Sequence, residues 1–233
     1  MTKQDSHDFN RGSIKICLLL PAYNESKTIG QIIQESSEFI SEIVVINDGS
    51  SDETAEIAAA CGAVCLTNSM NCGKGNALRK GFAYALEQGY ELVFTMDSDG
   101  QHQPTDIPRF LEHFDNTRPD ILIGARATQD LRTSMPLHRR INNCLISYVG
   151  SKLCRQQVPD FQSGYRLIRD EVLRQVHLET ERYETESELL IKAGRLGFRI
   201  ESLPIQTRYG DEVSHIKPLR EMWLFTKLFL RSL

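Results

Sequence analysis

The chain has 233 residues, 40% of them hydrophobic and 25% charged, with a formal net charge of −4. That length can bury a sizeable core, the composition is ordinary for a globular protein, and the acidic balance argues against a general nucleic-acid binder. The six cysteines (Cys17, Cys61, Cys65, Cys72, Cys144 and Cys154) show no paired zinc spacing and fall partly in apolar segments, which points to a reducing cytosol.

Residues 1–12 are polar without an apolar core and read as a frayed tail rather than a signal peptide. From there short apolar runs alternate with helical patterns: Ile14 to Leu20 then Thr28 to Phe39, Glu42 to Ile46 then Asp52 to Ala60, Ala63 to Leu66 then Gly75 to Glu87, Glu91 to Met96 then Thr105 to Phe114, and Ile121 to Ile123. This repetition predicts right-handed crossovers and an α/β fold with a mostly parallel sheet covered by helices on both faces. The second half predicts helices over Leu137 to Leu153, Asp170 to Val176 and Thr185 to Leu196, and a strand near Arg199 to Gln206.

Without a linker-like stretch, 13–216 reads as one domain, and 217–233 as a basic amphipathic helix in which Lys217, Arg220, Lys227 and Arg231 oppose Glu221. Such a helix suits an anionic membrane surface, and the alternative is a terminal helix docked on the core. No segment reaches the roughly 18 apolar residues that spanning a bilayer requires.

Ligands of parallel sheets sit beyond the carboxyl ends of the strands. The polar signals fall there: Pro21-Ala22-Tyr23-Asn24-Glu25, Asn47-Asp48-Gly49-Ser50, Asn71-Cys72-Gly73-Lys74-Gly75 and Asp97-Ser98-Asp99. Asp97 and Asp99 leave the fourth strand at i and i+2, pointing to one side, and two converging carboxylates suit Mg2+ or Mn2+ on a diphosphate. Glu25 and Asp48 are acceptors for ribose or base groups, Tyr23 offers a ring to a base, and Lys74 a cation to a phosphate. The 48–54 segment also reads as a turn and helix cap, and Gly73-Lys74-Gly75 is not the longer phosphate-loop signature.

Together these blocks, with Gly124-Ala125-Arg126 and Asp160-Phe161-Gln162-Ser163-Gly164-Tyr165-Arg166, resemble the family 2 glycosyltransferases of the GT-A fold, in particular the dolichyl- and polyprenyl-phosphate mannosyl- or glucosyltransferases. The resemblance runs from about Ile14 to about Pro218. It implies a single GT-A catalytic domain over 13–216, a nucleoside held by Pro21, Tyr23, Glu25 and Asp48, and a metal (Mg2+ or Mn2+) with the donor diphosphate at Asp97, Asp99 and Gln101. It also implies acceptor phosphate at Arg126 and Arg208, and places the protein peripherally on the cytoplasmic membrane face.

The chemistry agrees. Breaking a sugar–diphosphate bond leaves negative charge on the leaving group, which a divalent cation stabilises. A phosphomonoester acceptor is already anionic at neutral pH and wants arginines, with Arg126, Arg139 or Arg140, and Arg208 as candidates, whereas a hydroxyl acceptor needs a base such as Asp160 or Glu186. The expected activity is inverting transfer of one hexose from a GDP-mannose- or UDP-glucose-type donor to polyprenyl phosphate. The rivals are a family 2 enzyme acting on a hydroxyl acceptor and a non-catalytic nucleotide-sugar sensor. Asn47 stands where many relatives carry a second aspartate, and the Gln-x-x-Arg-Trp signature of processive synthases does not occur, which favours single-sugar transfer.

Overall fold

The computed structural model describes residues 14–126, 137–206 and 218–231. Their strands are β1 (Ile16–Ala22), β2 (Ile43–Asn47), β3 (Val64–Thr67), β4 (Leu92–Thr95), β5 (Ile121–Arg126), β6 (Arg166–Arg169) and β7 (Ile200–Ile205). Their α-helices are α1 (Ile29–Ser37), α2 (Thr54–Ala60), α3 (Lys74–Glu87), α4 (Ile107–Thr117), α5 (Leu137–Cys154), α6 (Asp170–Gln175), α7 (Glu184–Arg195) and α8 (Pro218–Arg231).

The seven strands form one sheet in the order β3-β2-β1-β4-β6-β5-β7. β6 alone runs antiparallel to its neighbours. Alternation along the strands divides the apolar residues between two cores. Cys17, Leu19, Val44, Ile46, Val93 and Ile168 face one side, where α3, α6 and α7 supply Leu78, Phe82, Val172 and Leu189. Leu18, Leu20, Val45, Phe94 and Leu167 face the other, where α1 and α4 supply Ile29, Ile33, Phe110 and Phe114. Burial on both faces is what a sheet with βα crossovers demands, and it explains why these strands are so rich in Leu, Ile and Val.

The expected strands and helices are all present among the described residues, and one element is added. β6 was not foreseen, because Arg-Leu-Ile-Arg with charges at both ends gives no strand periodicity. α8 seats Phe225 and Leu228 in the first core, so its described part is docked, while Leu230 stays exposed. No described helix is long and apolar enough to cross a membrane.

Candidate active site

The strand order reverses between β1 and β4, since β1 leads to β2 and β3 on one side while β4 continues toward β6 on the other. Such a reversal opens a crevice at the carboxyl edge. Here it is closed at its base by Ser98, whose Oγ donates to the Pro21 carbonyl at 2.6 Å, while Thr28 Oγ1 donates to the Ser98 carbonyl at 2.6 Å.

Next to it, the loops after β1 and β2 are tied together. Asn24, at φ 58°, accepts from Ser51 N at 2.8 Å through Oδ1, and its own N–H donates to Ser50 Oγ at 2.9 Å. Glu25 N–H donates to Thr54 Oγ1 at 2.9 Å. The Tyr23 ring stands at this rim, 36% exposed. Asp48 is buried and braces the third loop, accepting from Asn68 Nδ2 at 2.8 Å, Cys72 N at 3.0 Å and Gly73 N at 2.8 Å. That loop delivers Lys74 to the first turn of α3.

Lys74 Nζ lies 2.5 Å from Asp97 Oδ1 and 3.0 Å from Glu186 Oε1, so one ammonium bridges an acid beyond β4 to an acid at the start of α7. The Lys74 side chain is only 14% exposed and that of Glu186 6%, which removes the solvent screening that makes surface pairs weak. Burial opposes ionisation of Asp97, but the charge of Lys74, aided by His102, holds it far below the usual carboxylate range. Lys74 in turn is held protonated by Asp97 and Glu186 against its own burial. Asp99 behaves oppositely: burial and then the charge of Asp97 push it up, although Gln101 N–H donates to its Oδ1 at 3.0 Å.

Asp97, Asp99 and Glu186 gather around Lys74 and near the buried Arg166, three carboxyl groups against two fixed cations, and an added cation beside Asp99 would favour its ionised form. The donor set of two carboxylates and the Gln101 amide oxygen is hard and all-oxygen, as Mg2+ and Mn2+ prefer. Gly164 packs directly over the same acid, because a Cβ there would fall about 2.7 Å from the Asp97 Cγ. His102 is buried with its Nε2 3.7 Å from Asp97 Oδ2, and its Nδ1 has no partner among the described residues. In donor chemistry Asp97, Asp99 and Gln101 fit a divalent cation, although no group of three or more His, Cys, Asp or Glu arranged to hold one occurs among the described residues.

On the far side of the crevice, Arg126 at the end of β5 forks onto buried Asp160, with Nε 2.7 Å from Oδ2 and Nη2 2.9 Å from Oδ1. The arginine holds Asp160 below the usual carboxylate range despite burial. Arg166, 1% exposed, donates to the carbonyls of Ser163 at 2.8 Å, Glu186 at 2.7 Å and Phe161 at 2.9 Å. It ties the 160–166 loop to the first turn of α7. Gly75 allows that turn to approach α3, since a Cβ on it would collide with Thr185 Oγ1.

The structure thus places Lys74 on Asp97, with Asp99 beside them and Gln101 joined to Asp99 through its N–H, while Pro21, Tyr23, Glu25 and Asp48 lie at the ends of β1 and β2 and in the loops that follow. Lys74 faces carboxylates rather than open space, and Asp48 is engaged by its own chain. Arg126 uses its fork on Asp160. Arg140 lies on α5, while Arg208 and the side chain of Arg139 fall outside the described residues. Sequence reasoning missed His102 and Arg166. Arg166 carried a signal, an arginine opening an otherwise apolar run, because a charge in a buried sheet has to be satisfied by specific partners.

The fold and site define an α/β transferase architecture in which a pair of aspartates lies at a switch point. Its likeness among solved structures is to glucosyl-3-phosphoglycerate synthase of Mycobacterium tuberculosis in complex with Mn2+, UDP and glucosyl-3-phosphoglycerate. The TM-score is 0.68 at 23% identity over 94% of this chain and 78% of that one. A complex of the same synthase with Mg2+ and UDP gives a TM-score of 0.68. The Glycosyl transferase family 2 model matches residues 17–176, and the chain belongs to that family, as a GT-A glycosyltransferase.

Among its relatives, the UDP-N-acetylglucosamine–dolichyl-phosphate N-acetylglucosaminyltransferase of Methanococcus voltae is 30% identical over 84% of this chain and 86% of its own length. The undecaprenyl-phosphate mannosyltransferase of Micrococcus luteus is 31% identical over 82% and 83%. The dolichyl-phosphate hexose transferase of Haloferax volcanii is 30% identical over 83% and 82%.

Proposed function

We propose that this enzyme transfers one hexose, with inversion, from a nucleotide-diphospho-sugar to a polyprenyl phosphate, using Mg2+ or Mn2+. In this reading the nucleoside lies along Pro21, Tyr23, Glu25 and Asp48, and Asp97, Asp99 and Gln101 hold the cation. When bound, the cation supplies Lewis-acid stabilisation of the departing diphosphate. Lys74 adds a fixed positive charge beside it, already oriented by Asp97 and Glu186, so no reorganisation is needed as charge develops. The resemblance assigns the acceptor phosphate to Arg126 and Arg208, and the basic 217–233 segment would supply peripheral contact with the cytoplasmic membrane face.

One observation carries the choice of acceptor. Asp160 and Glu186, the acids that would deprotonate a hydroxyl, are both engaged in ion pairs, with Arg126 and Lys74. A general base needs a pKa near the working pH, and Asp160 is displaced in the other direction. A phosphomonoester needs no such base, because it is an anionic nucleophile already.

The test is transfer from GDP-mannose, UDP-glucose and UDP-N-acetylglucosamine to undecaprenyl phosphate and, in parallel, to the dephosphorylated alcohol. Transfer to the phosphate alone, abolished by a chelator and by Arg208→Ala, is expected. Comparable turnover on the alcohol would overturn the phosphate reading, and nucleotide binding without turnover on any acceptor would favour the sensor.

A further inference from the structure

Helix α5 has a buried face, where Ile146 and Cys154 join the first core beside two polar residues, and an exposed apolar one. Its inward face carries the polar Asn143 and Ser147, each 6% exposed, and Ser147 Oγ accepts the Phe161 N–H at 3.2 Å, so polarity on this side serves the 160–166 loop. Its outward face carries Ile141, Cys144, Leu145 and Tyr148, at i, i+3, i+4 and i+7, and the three large residues are 61%, 58% and 63% exposed. An isolated exposed leucine needs no explanation, whereas two turns of continuous apolar surface mark a contact site.

The charge around this stripe says what the contact is. The segment Leu137–Cys154 contains His138, Arg139, Arg140 and Lys152 and no acid, in a chain whose net charge is −4. Lys152 continues the stripe one turn on and lies 5.8 Å from the Tyr148 ring centroid. α8 packs against α5 and carries its own exposed Leu230, flanked on the same face of α8 by Lys227 and Arg231. A two-fold contact with another copy would set these positive helices against each other. An anionic surface is attracted to them, while a tyrosine followed by a lysine is the pairing that settles at the boundary of lipid and water.

We propose that the Ile141-Cys144-Leu145-Tyr148 face of α5 is the surface that enters an anionic bilayer, with Lys152, Lys227 and Arg231 at headgroup depth. This assigns the apolar part of the membrane contact to α5, since α8 has already committed Phe225 and Leu228 to the core. The inference rests on the surface alone and does not require the acceptor reading.

The experiment is co-sedimentation of the full chain with phosphatidylcholine vesicles, with and without phosphatidylglycerol. Wild type should pellet with the anionic vesicles, less so at high salt. Leu145→Glu with Tyr148→Glu should lower the partition coefficient roughly 100-fold, the loss of two buried side chains, while Leu196→Glu, another exposed apolar position, should leave it unchanged. Nucleotide-induced thermal shifts equal to wild type confirm that the variants are folded and separate this result from any failure of the transfer assay. Unchanged partitioning of the double variant, equal binding to neutral vesicles, or a wild-type dimer dissociated by the same substitutions would overturn the proposal.

Discussion

The two walls of the crevice are held by different forces. On the rim from Pro21 to Gly73, short polar side chains and two carboxylates tie neighbouring loops: Asn24 with Ser50 and Ser51, Thr28 with Ser98, Asp52 with Ser26, and Asp48 with Cys72 and Gly73. On the opposite wall, charges do the holding, through Lys74 with Asp97 and Glu186, Arg126 with Asp160, and Arg166 on three carbonyls. Hydrogen bonds of the first kind contribute about 1 kcal/mol each, somewhat more where a carboxylate accepts, and fail one at a time. A buried ion pair fails all at once, because losing one partner strands the other.

Four substitutions probe that contrast. The largest expected effect is on chemistry: Asp99→Asn should lower metal-dependent transfer about 1000-fold, the scale of a lost electrostatic stabiliser. The same change should raise the stability of the metal-free protein by about 1 kcal/mol, some 2–4 °C in Tm. The sign follows from the raised pKa of Asp99, which holds its proton more tightly folded than unfolded. Its ionisation therefore subtracts stability as pH rises from about 3.9 through the folded value, and the gap between wild type and variant should close below that range. Calorimetry against pH, together with a transfer assay, checks both halves.

Lys74→Met should cost about 3–5 kcal/mol, because Asp97 and Glu186 lose their shared counter-charge. Since the lowered pKa of Asp97 adds stability that is fully present above the unfolded value of about 3.9 and is lost as pH falls below it, the variant should also lose most of its acid-dependent slope below that pH. Urea titrations at several pH values would show this, and a cost below about 1 kcal/mol would mean that the pair is screened like a surface one.

Gly164→Ala should reduce kcat about 100-fold by displacing the Asp97 carboxylate, with donor affinity changing less, as steady-state kinetics would reveal. The smallest effect belongs to the rim: Tyr23→Ala should weaken nucleotide binding about 10-fold by removing a stacking surface, measurable by calorimetric titration. A larger loss at Tyr23 than at Lys74 would reverse the contrast between the walls.

The same contrast governs what the sequence discloses. The segments that follow strands are legible, so Asn24, Asp48 and the Asp97-Ser98-Asp99 run could be assigned to one edge from hydrophobic periodicity and the strand–helix alternation, though not to one wall or the other. The charged wall joins Lys74, Asp97, Arg166 and Glu186 from four separate elements of the chain, and pairings of that kind leave no local pattern. An acid in the first turn of a helix, as Glu186 is, is favoured by the helix dipole whether or not it meets a lysine, and β6 went unread because Arg166 is polar by composition and buried by context. The outward apolar face of α5 was invisible for a related reason: its spacing is that of any amphipathic helix, and only packing decides which side faces the core.

The lysine bridge has a practical corollary for handling the protein. In small zinc modules the ion is a structural fastener, and stripping it unfolds the chain. Here an ammonium supplied by α3 already compensates Asp97 and Glu186, so the scaffold carries its own internal salt and does not depend on an exogenous one for integrity. Protein purified in EDTA should remain native, crystallise in that form, and recover full turnover when Mg2+ or Mn2+ is restored.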